Sequence, residues 1–224
     1  MSKLQEKINN KKILVLAAHP DDESLGCGGT IHKLSQLGNN VELLTFTDGV
    51  SSRQDDKDNR NKKLELVSKV LGISKFNYSN FPDNAMDSVP LLDLCKFIEK
   101  NIDYTPDIIF THFAGDLNID HQLVSKATLT VFRPQKENKT KIYSYYVPSS
   151  TDYNPLTNFD GNSYYSLGKS NINAKLEALW HYHEEMREYP HTRSYKNISN
   201  LMKVWGSEVG HKYCEKFKLI REVL

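Results

Sequence analysis

An α/β fold with a Rossmann-like, mostly parallel sheet flanked by helices is what this sequence predicts. Three features carry the prediction: short unbroken apolar runs of strand length, amphipathic stretches of helix length between them, and glycines that close two of those helices. A strand covered on both faces reads as a continuous apolar run. Strands alternating with helices build parallel sheets through right-handed crossovers.

The run KILVLAA over residues 12–18 is the first such strand. Residues 26–37 follow with helical spacing, Ile31, Leu34 and Leu37 falling on one side before Gly38 stops the helix. Residues 41–47 (VELLTFT) form the second strand. Residues 58–71 carry the stripe Leu64, Val67, Val70 and Leu71 and end at Gly72, which predicts the second helix. A brief third strand at 75–78, a helix at 91–102, a fourth strand at 107–111 (DIIFT), a helix at 120–131 and a fifth strand at 141–146 complete the alternation. Beyond it, residues 151–173 are rich in Asn, Ser, Tyr and Gly and predict an irregular loop or short hairpin. Residues 174–187 and 198–213 predict two further helices, and 218–224 closes the chain. No repeat or linker divides the sequence. Residues 1–224 are therefore expected to make one domain, with a core at 12–146 and a helical and loop part at 147–224.

Composition narrows the function. A chain of 224 residues buries enough surface, roughly 70 %, to fold without a disulfide or metal. Lys and Arg number 29 against 28 Asp and Glu, a net charge of +1. That balance argues against nucleic-acid binding, which neutralises many phosphates. No apolar run reaches about 18 residues, so no membrane span is expected. Residues 1–10 lack the apolar stretch of a secretory signal. Cys27, Cys95 and Cys214 form no C-x-x-C pair and predict free buried thiols in a reducing compartment, hence a cytoplasmic protein. A homo-oligomer stays open.

In sheets of this kind ligands sit beyond the carboxyl ends of the strands. The residues just after Ala18, Thr47 and Thr111 are therefore the place to look. The first strand runs into His19-Pro20-Asp21-Asp22-Glu23. Histidine with aspartate suits zinc, and a catalytic zinc keeps three protein ligands and one open position. A third ligand is then expected from another strand end. The fourth strand leads into a segment holding His112, Asp116, Asp120 and His121, with Asn118 among them. The second strand end adds Asp48 and then Arg53. Each has an ordinary reading alone: acidic groups favour helix N-termini, and Asp120 suits an N-cap. Their convergence at three strand ends argues for a site.

HPDDE after the first strand, GCGGT behind it, TDG after the second and DLNIDH after the fourth resemble the LmbE/PIG-L family, zinc-dependent de-N-acetylases of N-acetylglucosamine-type conjugates. The resemblance covers residues 12–132 and extends less closely to Glu185-Met186-Arg187, Pro190-His191, Arg193-Ser194 and 215–217. It implies zinc ligands at His19, Asp22 and His121, a catalytic base at Asp21, and a substrate contact at Arg53. It also implies a small-molecule amino-sugar substrate and an LmbE-like fold. One position departs: the thiol-pathway relatives have His-Pro-Asp-His, whose first histidine helps hold the oxyanion, and here that place is Asn118. Asn118 through its amide, or His112 through a protonated ring, is the expected replacement. A second departure is Lys63, where many relatives carry glutamate.

Other signals mislead. Gly26-Cys27-Gly28-Gly29 suggests a dinucleotide loop, but the third glycine of G-x-G-x-x-G falls on Ile31. His181-Tyr182-His183-Glu184-Glu185 suggests a zinc-protease helix, but the second histidine falls on Arg187. His191 and Arg193, after Pro190, are expected to meet an anionic group of the substrate. Two rival readings remain at this stage: a nucleotide-binding Rossmann-like module without hydrolytic activity, and a zinc amidase acting on a non-acetyl amide or a thiol conjugate.

Overall fold

The structure, a computed structural model, describes residues 9–48, 57–135 and 139–223. The predicted alternation is present. Strands β1 (Lys12–Ala17), β2 (Asn40–Thr45), β3 (Lys75–Tyr78), β4 (Ile108–His112) and β5 (Lys141–Tyr145) alternate with helices α1 (Asp22–Gln36), α2 (Lys57–Leu71), α3 (Leu91–Asn101) and α4 (Ile119–Val131). The chain continues through β6 (Ser163–Ser166), α5 (Lys169–His181), α6 (Tyr195–Glu208) and β7 (Cys214–Arg221).

The seven strands form one sheet in the order β3-β2-β1-β4-β5-β7-β6. The first five are parallel, while β7 runs antiparallel to both β5 and β6. β1 shows why its sequence is a continuous apolar run. Ile13, Val15 and Ala17 face a core shared with α1, α2, α5 and α6. Leu14, Leu16 and Ala18 face a second core shared with α3 and α4. The chain first builds outward from β1 to β3, then returns to place β4 on the other side of β1. The reversal therefore lies between β1 and β4, where ligands enter folds of this class.

Five predicted elements differ. α1 begins at Asp22 rather than four residues later, because the HPDDE turn is itself the start of the helix. The stretch predicted as loop or hairpin contains β6, and the predicted helix to residue 213 stops at Glu208. The last stretch is strand: Tyr145 pairs with Phe217 on one side of β7, and Ser166 with Cys214 on the other. The helix predicted over 174–187 is α5, shifted toward the N-terminus, so Glu184 and Glu185 lie in a short 3-10 turn. Cys27, Cys95 and Cys214 are free and buried. No helix among the described residues is long and apolar enough to cross a membrane.

Candidate active site

Three side chains from the two strand ends flanking the switch point converge. His19 follows β1, Asp22 opens α1, and His121 lies in the first turn of α4. His19 Nδ1 is 3.3 Å from Asp22 Oδ2. His121 Nε2 is 3.3 Å from the same oxygen and 3.3 Å from His19 Nδ1. The three donor atoms thus form a nearly equilateral triangle. Ligands at zinc bond lengths of about 2.0–2.1 Å in a tetrahedron stand roughly 3.3–3.4 Å apart, so the triangle fits one face of a zinc site. Asp22 Oδ1 is buried without a hydrogen-bond partner, which also suits a site built for a cation.

The outer nitrogens of both rings are held. His19 Nε2 lies 3.0 Å from Asp120 Oδ2 and 3.2 Å from Asp83 Oδ1. Asp120 is fixed in turn by the backbone N–H groups of Asn84 and Met86, at 2.7 and 3.0 Å. His121 Nδ1 meets Asp116 Oδ1 and Ser150 Oγ, each 3.2 Å away. Carboxylates behind ligand imidazoles set ring orientation and raise basicity. Burial opposes charge on His19, but bonds to Asp120 and Asp22 prevail and push its pKa up to about 10. Burial opposes charge on His121 as well, but the charge on Asp22 and the bond to Asp116 push it up to about 9. The cluster thus favours positive charge in its centre. Asp116 and Asp120 already stood in the candidate segment after the fourth strand. The roles of Asp83 and Ser150 carried no local signal, because loop packing creates them.

Asp21 sits at the N-cap of α1 with φ 128°, a conformation L side chains rarely adopt. Its strain marks it as a position fixed by its surroundings. Its N–H donates to Glu23 Oε2 at 3.1 Å, and its carbonyl accepts from Ser24 and Leu25 N–H. Burial pushes the Asp21 carboxyl up to about 7, against the opposing charge of Arg193.

Both expected oxyanion donors, His112 and Asn118, make contacts within the protein. His112 is fully buried, and its Nε2 accepts the Ala18 N–H at 2.9 Å. Burial and the neighbouring His121 push its pKa down to about 4, so it is a neutral ring stacked on His121 at 3.9 Å. With Nε2 accepting, the neutral ring carries its one proton on Nδ1, which is buried without a hydrogen-bond partner. Asn118 is the N-cap of α4: its Oδ1 accepts from the N–H groups of Asp120 and His121 at 2.8 and 3.4 Å. Its Nδ2 donates one of its two N–H groups to Asn84 Oδ1 at 3.1 Å.

Arg193 reaches the site, with Nη1 3.1 Å from Asp21 Oδ2. His191 serves the same turn: its Nδ1 accepts the Arg193 N–H at 3.1 Å, and its ring meets Tyr153 edge-on. The two residues expected to meet an anion of the substrate are therefore engaged within the protein. Asp48 is buried three residues beyond β2, next to Thr47, whose N–H donates to Ala18 O at 3.0 Å. Arg53 lies outside the described residues. Lys63 pairs with Glu184 and ties α2 to the 3-10 turn.

Known proteins resemble this chain in sequence or in fold. An uncharacterized deacetylase of Escherichia coli, YaiS, is 29 % identical over 186 residues, covering 80 % of this chain and 94 % of that protein. The diacetylchitobiose deacetylase of Thermococcus kodakarensis is 34 % identical over 98 residues, which span 38 % of this chain and 37 % of that enzyme. The crystal structure of the conserved protein TT1542 from Thermus thermophilus superposes with a TM-score of 0.75 at 22 % identity, covering 96 % of each chain. The sequence profile described as PIG-L, GlcNAc-PI de-N-acetylase, matches residues 14–132, and this match of more than half the sequence, with HPDDE and the distal Asp120-His121 inside it, means that the chain belongs to the PIG-L family.

Proposed function

We propose that this protein is a zinc-dependent deacetylase that hydrolyses the N-acetyl group of an amino-sugar conjugate to acetate and a free amine. The observation that carries the reading is the 3.3 Å triangle of His19, Asp22 and His121 at the switch point. The Asp21 carboxylate next in sequence supports it. Membership of the PIG-L family and similarity to a diacetylchitobiose deacetylase support the amino-sugar class.

His19, Asp22 and His121 are the residues that would hold the metal. The chemistry supplied by bound zinc is Lewis-acid polarisation of the amide carbonyl and acidification of water. Asp21 acts as the general base. It takes one proton from the attacking water as the oxygen bonds to the carbonyl carbon. It then delivers that proton to the nitrogen as the C–N bond breaks, so that water is divided between acetate and amine. A base with a pKa near 7 suits both transfers. Arg193 aims Asp21 and offers a cation for developing negative charge. Asp116 and Asp120 hold the two ligand rings. Asp48 and, by the family resemblance, Arg53 are the further residues proposed to contact the substrate.

The test is acetate and amine release from a panel of N-acetyl amino sugars carrying sugar, lipid, nucleotide or thiol aglycones, with zinc-loaded and chelator-treated protein. Equal amounts of acetate and amine, lost on chelation, are expected for at least one member. Amine without acetate would favour the non-acetyl amidase reading. Activity indifferent to chelation overturns the zinc assignment.

A further inference from the structure

α1 is two half-helices. Cys27 leaves helical geometry (φ −142°, ψ 18°), so Asp22–Gln36 is broken just after its first turn. Such a break strands carbonyls on one side and N–H groups on the other. One ion pair from the C-terminal third closes both ends. Glu215, on β7, accepts the N–H of Gly29 through Oε1 at 3.1 Å and that of Thr30 through Oε2 at 2.7 Å. Lys175, on α5, donates Nζ to Leu25 O at 2.7 Å and to Glu215 Oε1 at 2.6 Å. The anion faces the N-terminus of the second half and the cation the C-terminus of the first, the polarity each half-helix dipole favours.

Both side chains are buried, 2 % and 0 % exposed. The glycines leave them room. A Cβ on Gly29 would lie 2.7 Å from Leu167 Cδ1 and 3.3 Å from Glu215 Oε1, and one on Gly28 would lie 3.4 Å from Lys175 Cγ. A buried ion pair is weak evidence for stability, since apolar replacements often do as well. What this pair does achieve is geometric. The short first half of α1 carries Asp22 and hangs from Asp21. Asp22 Oδ2, on that first half, is the atom that meets both imidazoles.

From this we infer that Lys175 and Glu215 are positioning residues for the metal-ligand turn, holding the break in α1 at the angle that delivers Asp21 and Asp22 to the strand ends. The inference rests on the zinc reading above. It also gives the C-terminal third a part in the site beyond contributing Arg193.

Removing one partner alone would leave a buried unpaired charge and confuse misfolding with misplacement. The test therefore removes both charges together, in Lys175→Met/Glu215→Gln. Metal-free thermal unfolding and the zinc dissociation constant by chelator competition are measured beside the wild type. The expected result is a folded protein of near-native metal-free stability whose zinc affinity is about 10–100-fold weaker, the range seen when groups behind metal ligands are altered. A folded double variant with native zinc affinity overturns the inference. If the double variant does not fold, Gly29→Ala decides. It keeps both charges and crowds Glu215 and Leu167; weaker zinc binding supports the inference and native affinity overturns it. A wild-type protein that binds no zinc overturns the zinc reading and this inference with it, a failure visible before any variant is made.

Discussion

The Arg193 guanidinium meets the Asp21 carboxylate at 3.1 Å, Nη1 to Oδ2, and the two side chains are only 19 % and 5 % exposed. They are brought together from the turn after β1 and the turn before α6. Two further bonds aim the guanidinium, Nε donating to Ser149 Oγ at 2.8 Å and to Pro148 O at 3.2 Å. Asp21 is thus held between opposed influences. Burial raises its pKa, and the Arg193 charge lowers it.

Removing Arg193 should therefore be read in the pH profile. Without the guanidinium the carboxylate loses the charge that favours it, and Asp21 titrates at higher pH. The acid limb of kcat/KM in Arg193→Ala should move upward, and activity at neutral pH should fall by about tenfold or more. Arg193→Lys keeps the charge but not the planar fork, so its limb should move less. An unmoved limb in the alanine variant would separate Arg193 from the base.

Asp21→Asn tests the base itself. The amide is isosteric, and asparagine tolerates positive φ better than most residues. Asp22 is untouched, so zinc content should be native. The kcat should fall by roughly 100-fold or more if acid–base catalysis contributes its usual share. Zinc content and acetate release measured on one preparation check this, and full activity in the variant rules the role out.

Metal removal has a readout that needs no substrate. A ligand that binds only the folded state raises its unfolding temperature with concentration. Zinc added to chelated protein should therefore raise the unfolding temperature and titrate one ion per chain. His121→Ala breaks the triangle at one corner and should abolish that response. Elemental analysis finding no transition metal in protein purified without chelator counts against the assignment.

The parts of the fold that could be read in the sequence are those where one physical demand dominates. β1 is covered on both faces and can only be apolar, so its boundaries are legible to within a residue. β7 reads CEKFKLIR, with lysines interrupting its apolar residues, because its outer part is only half covered. β6 is four half-buried residues that pair with β7 alone. Neither has a pattern that separates it from loop or helix. The same division holds in the site. His19, Asp22 and His121 sit at strand ends, where the fold class alone says ligands gather. Asp83 reaches His19 through the loop before α3, and Arg193 reaches Asp21 across 172 residues. Those contacts are properties of packing. The sequence also supplies candidate donors without saying which of their atoms are already used. His112 and Asn118 both looked available, and the structure engages His112 Nε2 with Ala18 and the Asn118 amide with Asn84.

Asn118 offers the sharpest separation between a role in chemistry and a role in placing chemistry. Its Oδ1 caps α4 and binds the N–H of His121, a residue of the triangle, while its Nδ2 donates to Asn84. Asn118→Ser keeps a good N-cap and removes the amide donor. If Asn118 acts as a cap, the serine variant should retain stability and lose no more than about threefold in kcat, well short of the roughly 100-fold or greater loss typical of a missing oxyanion donor. Asn118→Ala removes the cap as well and should lose about 1 kcal/mol of stability. Its zinc binding should weaken too, because the first turn of α4 that carries His121 is freed to fray. Urea unfolding, zinc competition and acetate release on the two variants together decide the matter. A serine variant that is stable, fully zinc-loaded and yet inactive would return the amide of Asn118 to the reaction.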